Sequence, residues 1–194
     1  MGHYVENDIS SVLIGEEQIR QKVCELGARI SADYAGKNLL AVCILKGSVV
    51  FFADLLRCIT IPAKVDFMAV SSYGAGAESS GRVDIQYDVA GDIAGCDVLV
   101  VEDIIDTGTT LSLLRQELLR RHPQSLEICC LLDKKERRVA DVPVKYTGFE
   151  IPDEFVVGYG LDYNSLYRNY GGVGILKREV YSQDAVARKE DDIG

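Results

Sequence analysis

An unbroken apolar run, LLAVCIL at Leu39–Leu45, narrows the possible folds of this chain more than any other feature. A strand with one wet face alternates apolar and polar residues, so a run without alternation needs cover on both faces, as in a parallel sheet between layers of helices. Further strand candidates are Lys64–Val70, Val98–Val101, Leu126–Leu132 and Phe155–Tyr159. Helical spacing separates them. Ile19, Val23, Leu26, Ile30 and Tyr34 recur at three- and four-residue intervals over Glu16–Tyr34, with Gly36 as a stop, and shorter helices are expected at Val49–Leu56 and Thr109–Arg121. The order is that of a doubly wound α/β fold. With 194 residues and 47% hydrophobic content the chain can bury one sizeable core, so a single domain over residues 1–194 is expected.

Two segments break the alternation. SSYGAGAESSG at Ser71–Gly81 has the small, polar composition of a mobile lid, and RVDIQYDV after it alternates apolar and polar residues as an antiparallel strand would. The charged end of the chain, from about 186 to 194, is expected to fray.

Charge and cysteine usage exclude several classes of function. A formal net charge of −9 repels nucleic acid and anionic membrane alike, leaving a small ligand as the expected partner. The six cysteines show no CxxC spacing, and most lie in apolar stretches where a reduced thiol serves as a small hydrophobe, which suits the cytoplasm. MGHYVENDIS lacks the basic-then-apolar order of a signal peptide, and no apolar run is long enough to span a bilayer.

The chemistry concentrates in VLVVEDIIDTGTTL, Val98–Leu111, where a buried strand runs into acids and then a Gly-Thr turn that opens a helix. In open α/β sheets ligands gather beyond the carboxyl ends of the strands, which puts Glu102 and Asp103 at the rim of such a crevice. The helix start offers free N–H groups and a positive dipole end to a phosphate. Gly108 allows close approach, and the hydroxyls of Thr107, Thr109 and Thr110 add donors. A single Asp before a helix is ordinarily just a cap, but three acids beside a Gly-Thr turn ask for more: a phosphorylated sugar held with a divalent metal. Neither GxxxxGK[ST] nor GxGxxG after a strand occurs, so the nucleotide triphosphatase and dehydrogenase loops are excluded.

This stretch resembles the phosphoribosyl pyrophosphate signature of type I phosphoribosyltransferases, and EDIIDTG is worded as in their hypoxanthine-guanine branch. LKGS (Leu45–Ser48), SSYG (Ser71–Gly74), LLDK (Leu131–Lys134) and FVVGYGLDYNSLYRN (Phe155–Asn169) match the same branch in the same order. One departure is Lys135, where bacterial relatives usually have Pro. The resemblance implies a mostly parallel sheet flanked by helices, a mobile lid and a small hood, in a homodimer or homotetramer. It implies a purine salvage transferase that moves the 5-phosphoribosyl group of phosphoribosyl pyrophosphate to N9 of a 6-oxopurine, giving IMP or GMP and pyrophosphate, with Mg2+.

The same resemblance assigns roles residue by residue. Asp106 would accept the purine N7 proton, and the turn Asp106, Thr107, Gly108, Thr109, Thr110 would bind the 5-phosphate. Glu102 and Asp103 would hold the ribose hydroxyls and Mg2+, and Asp162 a second Mg2+ near position 2 of the base. Lys134 would donate to the purine O6, Phe155 would stack on the base, and Val156 would read its edge through the backbone. Lys46, Gly47 and Arg168 would meet pyrophosphate, with the Leu45–Lys46 peptide expected to be cis, and Ser72 and Tyr73 would close the lid. Plainer alternatives exist for each: a solvated Lys134, a core Phe155, an Asp162 that merely caps its turn. A receiver domain would need VLVVEDI near its N-terminus, where about a hundred residues precede it here. A phosphoribosyl-pyrophosphate-sensing regulator would need a basic surface that this acidic chain does not offer.

Overall fold

The computed structural model describes residues 5–71 and 84–182. In chain order these form β1 (Ile9–Ile14), α1 (Glu16–Asp33), β2 (Leu39–Leu45), α2 (Val49–Cys58), β3 (Lys64–Ser71), β4 (Asp84–Tyr87), β5 (Asp97–Ile105), α3 (Thr109–Leu119), β6 (Ser125–Asp133), β7 (Tyr146–Glu150), β8 (Val156–Val157) and β9 (Val173–Leu176). The chain falls into two compact units, residues 21–153 and residues 1–20 with 154–194.

The larger unit carries a six-stranded sheet in the order β4-β3-β2-β5-β6-β7, parallel except for the antiparallel edge strand β4. The apolar run in β2 is buried almost throughout, as its lack of alternation demands. Helix α2 packs on β2 and β5 through Phe51, Phe52 and Leu55, and α3 packs on β6. One face of the sheet supplies Val42, Ile44, Met68, Val98, Val100, Ile128 and Cys130 to a common core with Leu114 and Leu118 of α3. The chain leaves β2 towards β3 on one side and later returns as β5 on the other. The carboxyl ends of β2 and β5 therefore flank the point where strand order reverses, the position at which such sheets bind ligands.

Backbone packing is close where β7 joins β6. A Cβ on Gly148 would lie 2.5 Å from the Leu131 carbonyl oxygen, so nothing larger than glycine fits without moving a strand. Gly148→Ala is expected to lower unfolding free energy by about 1–3 kcal/mol, the usual penalty of overpacking. Urea denaturation checks this, and an unchanged midpoint would show that β7 can shift freely.

The smaller unit is built on an antiparallel sheet, β1-β9-β8, with β1 and β9 paired across most of the sequence. Val157, Tyr167 and Leu176 are its buried centre. The Tyr167 hydroxyl donates to Asp8 Oδ2 at 2.7 Å, and burial followed by this carboxylate pushes the phenol up to about 12.

Several boundaries differ from those expected. β5 does not stop at Val101 but continues to Ile105, because Glu102, Ile104 and Ile105 go on pairing with Cys130, Leu132 and Asp133 of β6. The strand expected over Phe155–Tyr159 is only Val156–Val157. The antiparallel strand after the lid is present as β4, whereas the lid itself, with Ser72 and Tyr73, and the terminal tail lie outside the described residues. All six cysteines are free, four of them buried, and among the described residues no helix is long and apolar enough to cross a membrane.

Candidate active site

The acids of β5 sit in its last paired rungs. Asp103 is buried and its Oδ1 accepts from the Ile104 amide at 2.8 Å, while Glu102 is half-buried beside it. Burial, then the Asp103 charge, holds the Glu102 carboxyl well above the usual carboxylate range. The same negative field reaches neighbouring strands. Cys43 in β2 is pushed up to about 11, chiefly by burial, with Glu102 and Asp103 adding to the shift against the Ser48 hydrogen bond; Cys130 in β6 rises for the same two reasons. A divalent cation at this strand end would relieve that field, so the residues fit one. Among the described residues there is no cluster of three or more His, Cys, Asp or Glu, and the remaining donors would have to come from ligand or water.

The loop after β2 closes on this pair. The Leu45–Lys46 peptide is cis, Lys46 is exposed, and the buried Ser48 hydroxyl donates to the Ile44 carbonyl. Gly47 lies so near that a Cβ there would fall 1.6 Å from Asp103 Oδ2. Its backbone is thus in contact with the carboxylate.

Beyond Ile105 the chain turns into α3. Asp106 does not cap that helix: the N-cap is Gly108, at φ 77°, with no side-chain cap hydrogen bond of its own, while Thr107 Oγ1 accepts from the Thr109 amide at 3.4 Å. The turn is held instead from behind, where Val139 and Ala140 amides both donate to the Thr107 carbonyl at 2.9 and 3.1 Å. The other first-turn N–H groups of α3 are left to whatever approaches from the front. A cavity of about 250 Å³ lies there, lined by Ile44, Val70, Glu102, Asp106, Gly108 and Thr110 among others. Asp106 Oδ1 is shielded from water and has no hydrogen-bond partner; Arg137 Nε stands 2.8 Å from it, off the hydrogen-bonding line.

At the end of β6 the two adjacent lysines part company. Lys134 is buried, its amide donates to the Ile105 carbonyl at 2.9 Å, and its Nζ lies 3.4 Å from Asp153 Oδ1. Lys135 is exposed and pairs with Glu150. Lys134 is therefore not a solvated terminus. The larger unit thus brings together Gly47, Glu102, Asp103, the Asp106–Thr110 turn and Lys134.

In the smaller unit Val156 is buried and pairs with Ile175. Phe155 is 39% exposed rather than a core residue, stacked on Tyr181 at 5.0 Å and edge-on to Tyr163 at 5.6 Å. Asp162 is engaged locally on both oxygens, accepting from the Ser165 amide at 2.9 Å and pairing with Arg168 at 2.7 Å; Arg168 also donates to the Gly160 carbonyl. The plainer expectation for Asp162, a turn cap, is what this structure displays. Sequence reasoning passed over Arg137 and Asp153, although the basic run KKERR beside LLD was a usable signal.

An α/β sheet with acids and an open helix start at its switch point suits a phosphorylated sugar, and comparison makes the class definite. The chain belongs to the phosphoribosyltransferase family, whose profile, described as Phosphoribosyl transferase domain, matches residues 14–164. Within it, the chain is similar to the hypoxanthine-guanine phosphoribosyltransferase of Staphylococcus aureus, 52% identical over 178 residues, 92% of this chain and 99% of that one. A protein of the same name from Streptococcus agalactiae is 51% identical over 179 residues, again 92% and 99% of the two chains. The crystal structure of a hypoxanthine phosphoribosyltransferase from Staphylococcus aureus superposes with a TM-score of 0.89 at 51% identity, covering 93% of this chain and 98% of that one.

Proposed function

We propose that this protein is a purine salvage enzyme, transferring the 5-phosphoribosyl group of phosphoribosyl pyrophosphate to N9 of hypoxanthine or guanine with release of pyrophosphate. The observation that carries this reading is Asp106 Oδ1 at the start of α3, a water-shielded oxygen that Arg137 approaches to 2.8 Å without completing a hydrogen bond. The ion pair leaves its hydrogen-bonding capacity unfilled, and a purine N7–H would supply the donor.

The turn Asp106–Thr110 binds the 5-phosphate through the α3 amides and the hydroxyls of Thr107, Thr109 and Thr110. Glu102 and Asp103 orient the ribose hydroxyls and hold Mg2+. The cation, when bound, supplies charge neutralisation for the departing pyrophosphate. The same two carboxylates face the positive charge that develops on the sugar ring, where preorganised charge is most effective. Asp106 takes the N7 proton as the N9 bond forms. Lys134 donates to O6, which favours 6-oxopurines over adenine, whose 6-amino group is a donor. In the smaller unit Phe155 stacks on the base and the Val156 backbone reads its edge. Asp162 would hold a second Mg2+ and Arg168 would meet pyrophosphate, for which a guanidinium fork is suited. Lys46 and Gly47 bind pyrophosphate. The free thiols support a cytoplasmic setting, and the family likeness supports a homodimer or homotetramer.

The test is nucleotide formation from hypoxanthine, guanine, xanthine or adenine with phosphoribosyl pyrophosphate and Mg2+, followed by absorbance. IMP and GMP are expected, with adenine at least about 10²-fold poorer in kcat/KM because its 6-amino group meets a buried donor. Equal use of adenine would remove Lys134 from its role, and no turnover with any base would remove the reading.

A further inference from the structure

Resting on that reading of Asp106 and Lys134, we propose that Asp153 is a positioning residue that sets both of them through one charge network. Lys134 is buried and Asp153 is its one ion-pair partner among the described residues, at 3.4 Å. A buried ammonium without a counter-charge is strongly disfavoured, so the lysine's place depends on that carboxylate. The same oxygen, Asp153 Oδ1, accepts from Arg137 Nη1 at 3.1 Å. Arg137 then turns its Nε to Asp106 Oδ1 at 2.8 Å.

The backbone builds this bridge deliberately close. The short turn Lys135–Arg137 folds back so that the Arg137 amide donates to the Lys134 carbonyl at 2.9 Å, and Ile151 N–H donates to the Asp133 carbonyl at 3.0 Å, which carries residues 151–153 to the same place. Arg138 fixes the base of the turn with two hydrogen bonds to the buried Asp133, at 2.9 and 2.8 Å. A planar guanidinium held at Nη1 by one carboxylate has little freedom in where its Nε points, so Asp153 decides how Arg137 presents itself to Asp106. Arg137 stands beside Asp106 without completing a hydrogen bond, which leaves that oxygen available to a substrate donor. Without Asp153 the guanidinium is free to rotate fully onto Asp106 and compete with the purine. Positioning of the group that reads O6 and of the group that takes the N7 proton would then fail together.

The experiment compares Asp153→Asn, Asp153→Glu, Lys134→Met and the double variant Asp153→Asn with Lys134→Met, all checked for wild-type melting. For Asp153→Asn the hypoxanthine KM is expected to rise about 10-fold and kcat to fall several-fold, the size of a contact-range coupling, with the phosphoribosyl pyrophosphate KM within about twofold. Asp153→Glu should recover most of the loss, and in the Lys134→Met background Asp153→Asn should add nothing to the hypoxanthine KM while still lowering kcat through Arg137. Wild-type kinetics for Asp153→Asn alongside a damaged Lys134→Met, or hypoxanthine KM effects that simply multiply in the double variant, would overturn the inference and leave the proposed function standing. Unchanged hypoxanthine kinetics in Lys134→Met would overturn the role of Lys134 itself, and this inference with it. Should Asp153→Asn melt early, Arg137→Gln reads the same arm of the network through kcat.

Discussion

Asp106→Asn is expected to lower kcat for nucleotide formation by about 10²-fold while leaving both substrate KM values within a few-fold. The substitution keeps the shape of the side chain and removes its capacity to take a proton, so what disappears is help given as the bond forms. General acid–base groups typically contribute about 10²- to 10⁴-fold. The low end applies because the Asp106 side chain is 45% exposed, and water can partly replace it. Steady-state kinetics with hypoxanthine as the varied substrate measures this directly. A kcat equal to wild type would assign proton removal to solvent. Loss confined to KM would make Asp106 a binding residue only.

Gly47→Ala acts by a different route and is expected to cost about 10²-fold in kcat/KM, the scale associated with displacing a reacting group by about 1 Å. The added methyl would sit 1.6 Å from Asp103 Oδ2 and 2.7 Å from its Cγ, so the carboxylate must swing away or the loop must withdraw. Asp103 has little room to yield, being buried and held through Oδ1 by the Ile104 amide. Titration with Mg2+ distinguishes the outcomes: a displaced carboxylate raises the metal concentration needed for half-maximal rate. If that concentration and kcat/KM both stayed at wild-type values, the contact between Gly47 and Asp103 would have no part in catalysis.

The sheet was legible in the sequence wherever burial alone dictates the pattern. β2 was bounded correctly because its residues need cover on both faces, and α1 was read to within one residue, ending at Asp33 rather than Tyr34, because Ile19, Val23, Leu26, Ile30 and Tyr34 are indeed all buried. β5 read short because Glu102 and Asp103 look like the end of a strand, whereas hydrogen bonding to β6 continues past them. β7, YTGFE, was missed because a central glycine weakens any strand signal; here the glycine is required by the nearness of β6. β1 and β9 are short, and each becomes a strand only by pairing with a segment far away in the chain. The site divides in the same way. The contiguous Glu102–Thr110 stretch could be read as chemistry, but Arg137 and Asp153, sixteen positions apart, meet only through a turn and the end of β7.

The glycine start of α3 has a consequence for the protein as a whole. With Gly108 as N-cap and only the Thr109 amide met by Thr107, part of the first turn keeps N–H groups that the chain itself does not satisfy. On the proposed reading, a phosphoryl group lodged over Gly108 would supply those acceptors from outside, so the substrate would finish a piece of secondary structure that translation leaves open. Recognition and folding would then draw on the same few amide hydrogens, and the enzyme in a cell well stocked with its donor would be the sturdier molecule.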